Sequence, residues 1–73
     1  MIIRLKDRKN GITDFMTEEA DIDYWIDTEK GQLRIRFDGK TYTVKRGKYE
    51  ALAELQDRIA EELEKGSGFL DLS

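Results

Sequence analysis

The sequence predicts an α+β fold in which an antiparallel β-meander of three to five strands packs against one C-terminal α-helix. Three observations predict it. Asp38-Gly39 stands between two stretches, 33–37 and 40–44, that alternate apolar and polar residues. A third alternating stretch, 22–27, precedes them at hairpin distance. From about 48 to 65 runs a series of strong helix formers with apolar residues three and four apart.

The central hairpin is the clearest element. An Asp-Gly pair accepts positive φ at both inner positions of a type I′ turn, whose twist matches that of the flanking strands. A two-residue loop then dictates the register. Phe37 faces Lys40, Arg36 faces Thr41, Ile35 faces Tyr42, Arg34 faces Thr43 and Leu33 faces Val44. Upstream, Thr28-Glu29-Lys30-Gly31 suits a four-residue loop with Gly31 in the left-handed position. This loop sets Ile26 opposite Leu33, Tyr24 opposite Ile35 and Ile22 opposite Phe37. A slip of one residue would set Ile26 against Arg34 and mix the two faces. One face of the meander is therefore apolar: Ile22, Tyr24, Ile26, Leu33, Ile35, Phe37, Tyr42 and Val44. The other carries Asp23, Trp25, Asp27, Arg34, Arg36, Thr41, Thr43 and Lys45.

A helix is expected over the apolar face. Leu52, Leu55, Ile59 and Leu63 form its stripe, and Ala51, Ala53 and Ala60 allow close approach to a sheet. Gly66 follows Lys65 where a left-handed cap ends a helix. Glu61, Glu62 and Glu64 oppose the dipole at that end, so helix stability alone does not account for them. At the other end of the chain, residues 2–6 read as a strand and Asn10-Gly11 as a turn. Residues 12–16 read as a return strand, and 17–20 as either a loop or one helical turn capped by Thr17. Residues 1–66 form one small domain, and 67–73 a flexible C-terminal tail with an apolar tip of Phe69, Leu70 and Leu72. Such a tip either folds back over its own core edge or enters a partner's groove.

Composition narrows the chemistry. The 73 residues include no Cys, His or Pro, and 16 acids stand against 13 bases. Thiolate nucleophiles, disulfides and thiolate metal sites are excluded, as are His bases and His ligands. Asp21, Asp23 and Asp27 cluster, but Asp23 faces Arg36 across the strands. That arrangement reads as an ion pair of about 0.2–1 kcal/mol rather than a catalytic dyad. No phosphate loop, dinucleotide fingerprint or calcium loop is present. The reading is a non-enzyme with no cofactor and no metal. No signal-peptide pattern, membrane span of roughly 20 apolar residues, myristoylation Gly or prenylation Cys is seen, so the expected location is cytoplasmic, without a membrane partner.

The net charge of −3 conceals blocks. Residues 1–10 carry +3, 14–29 carry −7, 30–48 carry +6 and 50–64 carry −5. Blocks of this kind either pair between neighbouring elements or present a ligand patch. The helix acids Glu50, Glu54, Asp57, Glu61 and Glu64 read as a solvated face, or as a negative stripe for a basic partner.

Trp25 is the most informative residue. Alternation places it on the polar face, opposite Arg34. Its ring either lies over the Arg34 stem, is covered by the N-terminal segment, or anchors an interface. The sequence therefore points to a small binding or regulatory module acting on another protein, as a monomer or weak homodimer. Its contact residues are Trp25, Arg34, Arg36, Thr41, Thr43, Lys45 and Arg46. The alternative is a nucleic-acid-binding module in which Arg34, Arg36, Lys45, Arg46, Thr41 and Thr43 meet phosphates and Trp25 stacks a base. A three-stranded sheet backed by one helix is similar in architecture to the arm-type DNA-binding domains of phage integrases. Asp23, Asp27, the acidic helix and the net negative charge all oppose that reading.

Overall fold

The computed structural model describes residues 1–73. In chain order the elements are β1 (Ile2–Asp7), β2 (Gly11–Met16), a 3₁₀ turn (Glu19–Asp21), β3 (Asp23–Asp27), β4 (Gln32–Phe37), β5 (Lys40–Arg46), α1 (Tyr49–Lys65) and β6 (Phe69–Asp71). The α+β class is as expected, but the strands number six and divide into two sheets. One sheet is the meander β3-β4-β5, and the other has the order β2-β1-β6.

The meander follows its turn chemistry. Asp38 and Gly39 have φ of 52° and 73°, as a type I′ turn requires. Four of the five expected β4–β5 pairs are present: Phe37–Lys40, Arg36–Thr41, Ile35–Tyr42 and Arg34–Thr43. The fifth is not. A β-bulge between Leu33 and Arg34 leaves Val44 as the extra residue, so Leu33 pairs with Lys45 and Gln32 with Arg46. Between β3 and β4 the pairs Tyr24–Ile35 and Ile26–Leu33 match the four-residue loop. Gly31 has φ of 62°, and a Cβ there would lie 3.3 Å from the Gly47 carbonyl oxygen. The Gly47 amide in turn donates to the Gly31 carbonyl at 3.1 Å, which joins the β3–β4 loop to the end of β5. Ile22 precedes β3 rather than pairing with Phe37, yet it remains buried.

The second sheet starts from the N-terminal hairpin. In its loop the Asp7 carboxylate accepts the Lys9 amide at 3.1 Å and the Asn10 side-chain amide at 3.2 Å. Gly11 follows with φ of 68°. The ladder is extended beyond β2 because Met1 and Thr17 exchange bonds. The Thr17 amide donates to the Met1 carbonyl, and the Met1 ammonium donates to the Thr17 carbonyl, each at 3.0 Å. Thr17 therefore continues a strand and does not cap a helix. The short turn begins after Glu18, which makes no side-chain cap bond.

The chain after α1 completes this sheet. Gly66 takes the left-handed cap position with φ of 63°, as expected. Gly68 turns the chain so that β6 runs parallel to β1. Ile2 donates to the Gly68 carbonyl at 2.9 Å and Leu72 to the Arg4 carbonyl at 2.8 Å. The apolar tip thus folds back over its own core edge, and Leu70 is buried with only 3% exposure.

The core lies between the sheets. Ile3, Leu5 and Leu70 from one sheet face Leu33, Ile35 and Phe37 from the other, while Leu52 and Ile59 of α1 enter with Ile22. No polar or charged residue is buried there. Phe15, Phe37 and Tyr42 form an aromatic cluster with ring centroids 5.1–5.5 Å apart.

Leu70→Ala is expected to cost about 2–5 kcal/mol, the range for truncating a buried Leu and the same as for Ile59→Ala. Urea denaturation of both variants measures this. A near-neutral Leu70→Ala beside a destabilised Ile59→Ala would show that β6 contributes nothing to the core.

Candidate binding face

The outer side of the β3-β4-β5 sheet is a grid of three strands by three rows. Pairing places Asp23, Arg36 and Thr41 in one row, and Trp25, Arg34 and Thr43 in the next. The third row is Asp27, Gln32 and Arg46. Cross-strand partners share a face, so these side chains are neighbours. The other sheet packs against the opposite, inner side through Ile3, Leu5 and Leu70.

Each charged side chain of the grid has a defined setting. Arg36 Nη2 donates to Asp23 Oδ2 at 3.0 Å in the expected cross-strand ion pair, with both side chains more than half exposed. Arg34 Nη1 donates to Gln32 Oε1 and to Thr43 Oγ1, both at 3.0 Å. Its guanidinium is thus held between two neutral acceptors and keeps an unneutralised charge. Asp27 Oδ1 accepts the Lys30 amide at 3.2 Å and so fixes the loop beyond β3.

Trp25 occupies the middle row and is 37% exposed. It is not covered by the N-terminal segment, which forms the second sheet. Nor does Arg34 stack on it: the cation–π contact of this molecule is Arg4 over the Phe69 ring, at 5.1 Å to the centroid. Neither of the two intramolecular settings expected for Trp25 is seen, and its ring is exposed.

The structure brings together Trp25, Arg34, Arg36, Thr41, Thr43 and Arg46 but turns Lys45 away. Alternation placed Lys45 on this face. The bulge at Val44 shifts the register, so Lys45 pairs with Leu33 and borders a recess with Leu55, Arg58 and Leu72. Arg46 takes the place in the grid. Gln32 was not singled out from the sequence, although its position two residues before Arg34 already put it on the same face.

The charge blocks interact only in part. The molecule has two ion pairs, Arg4–Asp14 and Arg36–Asp23, and both draw their acids from the 14–29 block. The helix acids make none. On the outer face of the other sheet, Arg4 donates through Nε to Asp14 Oδ1 at 2.8 Å and through Nη2 to Oδ2 at 3.2 Å. This two-pronged bond raises the Arg4 pKa and, with the Arg4 charge, holds the Asp14 carboxyl below its ordinary value. Asp71 is lowered as well, mainly by the Ser73 hydroxyl, which donates to Oδ1 at 2.6 Å, and by the Ser73 amide. No group of three or more acids converges as a metal site would require. The one α-helix is neither long nor apolar enough to cross a membrane.

No family model, curated protein or solved structure matches the chain. The likeness to integrase arm domains rested on a single three-stranded sheet, whereas two such sheets enclose this core.

A carboxyl whose pKa is lower in the folded state adds stability above its unfolded value of about 3.9, and that stability is lost as pH falls through the folded value. Asp14 has this sign, whereas Arg4 stays charged throughout the accessible range. Asp14→Asn is therefore expected to flatten the decline of stability below about pH 4. Urea melts of both proteins at neutral and acidic pH measure the difference. Equal acid sensitivity would remove Asp14 as a contributor.

Proposed function

We propose that this chain is a non-catalytic module that binds another protein through the outer face of the β3-β4-β5 sheet, with Trp25 as anchor. One observation carries the reading: an exposed Trp stands in the middle row of a hydrogen-bonded polar grid, on its edge strand β3, and makes no aromatic or cation–π contact within its own molecule. Trp and Arg are the residue types most enriched where binding energy concentrates. Arg34 is held in place by Gln32 and Thr43 before any partner arrives. Holding a side chain in advance reduces the conformational entropy lost on association. Asp23 and Asp27 alongside Arg34, Arg36 and Arg46 offer charges of both signs, which suits a mixed protein surface.

A second reading has its own support. Arg34, Arg36 and Arg46 share the face with two threonines and an aromatic ring, as in modules that hold phosphates and stack bases. Against it, Arg36 is already paired and two carboxylates border the ring. A polyanion would meet repulsion where a base is to stack. The protein reading is therefore preferred.

Co-purification with the wild type, Trp25→Ala and Trp25→Tyr tests the proposal, with circular dichroism and melting confirming that each variant folds. A partner recovered by the wild type is expected to bind Trp25→Ala with about 2 kcal/mol less free energy, or roughly 30-fold more weakly. Trp25→Tyr should retain part of the affinity. Equal recovery by all three proteins would remove Trp25 as the anchor.

Titration with single-stranded and duplex oligonucleotides at about 50 mM salt addresses the second reading, and no saturable binding is expected. Salt-sensitive binding that Arg34→Ala weakens would replace the protein reading with the nucleic-acid one.

A further inference from the structure

A second surface lies along β5 and shares Thr43 and Arg46 with the Trp25 grid. Between β5 and the end of β1 runs an open groove of about 520 Å³. Its floor is apolar, formed by Leu5, Phe15, Tyr42 and Val44. Around that floor stand four cations, Lys6 and Arg8 on one side and Lys45 and Arg46 on the other, with Asp7 as the sole acid. Asp7 is engaged in its own loop, accepting from Lys9 and Asn10. None of the four cations belongs to either ion pair of the molecule.

The way β5 borders this groove is informative. A strand that presents a face contributes every second residue, because successive side chains point to opposite sides. Here β5 contributes five in succession, Tyr42 to Arg46. The strand therefore meets the groove with its edge. It pairs with β4 alone, and no backbone bond outside that ladder involves residues 40–46. Its outward N–H and C=O groups lack partners within the chain.

We propose that this groove takes an extended acidic segment of another protein, which adds as a fourth strand at β5. The free edge supplies the main-chain bonds, as in other strand-addition complexes. Alternate apolar side chains of the segment rest on Leu5, Phe15, Tyr42 and Val44. Its carboxylates meet Lys6, Arg8, Lys45 and Arg46. Charge disfavours a second copy that docks through its own β5 edge. The β5 edge bears Lys40, Lys45 and Arg46 and no acid, so two such edges repel when brought together. An acidic strand reverses that sign at every cation. The two surfaces meet at Thr43 and Arg46, but the strand addition uses the β5 edge and does not depend on Trp25.

The probe is a peptide of the same length as β5 that alternates Glu with Val. Two controls accompany it: the same peptide with Lys for Glu, and one N-methylated at alternate backbone amides. The full chain is titrated with each and followed by amide NMR and hydrogen exchange. The acidic peptide is expected to shift and protect the Tyr42–Arg46 amides and to bind at least about tenfold more tightly than the Lys peptide, with affinity falling as salt rises. N-methylation along the bonding edge should abolish the protection. The double variant Arg8→Glu, Lys45→Glu should invert the preference between the acidic and basic peptides, which a variant that merely failed to fold would not do. Three results overturn the proposal. One is binding of the N-methylated peptide with unchanged affinity. Another is protection of the same amides by self-association in the absence of peptide. The third is no binding of the acidic peptide, in which case the cations only guard the edge.

Discussion

Everything in this molecule depends on burying two sheet faces against each other with very few side chains. Nine residues are buried and all are apolar, so no buried polar network helps to specify the fold. A small domain gains little from its core and loses much chain entropy on folding. Each contributor therefore matters. Leu70 lies in a three-residue strand near the end of the chain, yet it pairs with Ile3 and seals the β1 side of the core. Without it, Ile3 and Leu5 would face water along the open edge of β1. The helix performs the same role elsewhere, closing the gap between sheets with Leu52 and Ile59.

Because the inner faces are committed to that core, parity commits the outer ones to solvent. Ile35 and Leu33 point inward, so Arg34 and Arg36 must point outward, and Trp25 goes out because Tyr24 and Ile26 turn toward the core. The polar grid is in this sense the reverse side of the core, held by the same ladders. The other sheet obeys the same rule at a visible cost. With Ile3 and Phe15 directed inward, Ile2 and its partners Met16 and Phe69 form an exposed apolar row across all three strands. Arg4 lies over part of it, its guanidinium above the Phe69 ring while it also grips Asp14.

The features legible in the sequence are those determined by neighbours along the chain. Asp38-Gly39 specifies a turn whose geometry needs no help from afar, and Gly66 ends a helix for an equally local reason. The Asp23–Arg36 pair follows from counting outward from two short loops. The features that escaped are set by contacts distant in sequence. The second sheet exists because β6 finds β1 more than sixty residues away, and no alternation in three residues could announce that. Thr17 has the side chain of a helix cap, but Met1 offers it a strand bond and the strand prevails. The bulge at Val44 left no local trace, since residues 40–44 alternate without interruption and no glycine marks the irregularity.

That bulge also splits the end of β5 between two surfaces. Strict alternation would align Lys45 with Arg34 and Trp25 and direct Arg46 toward the core side. One extra residue exchanges them. Arg46 joins the polar grid through Gln32, while Lys45 moves to the groove side, where it forms no ion pair. The local increase in twist that accompanies a bulge turns the end of the strand away from the plane of the sheet. An edge twisted and charged in this way resists pairing with its own kind. The same cations that oppose a second β5 edge would suit the strand of opposite charge proposed for the groove. In the proposed docking, resistance to a second β5 edge and recognition of an acidic strand would both draw on this irregularity in the ladder.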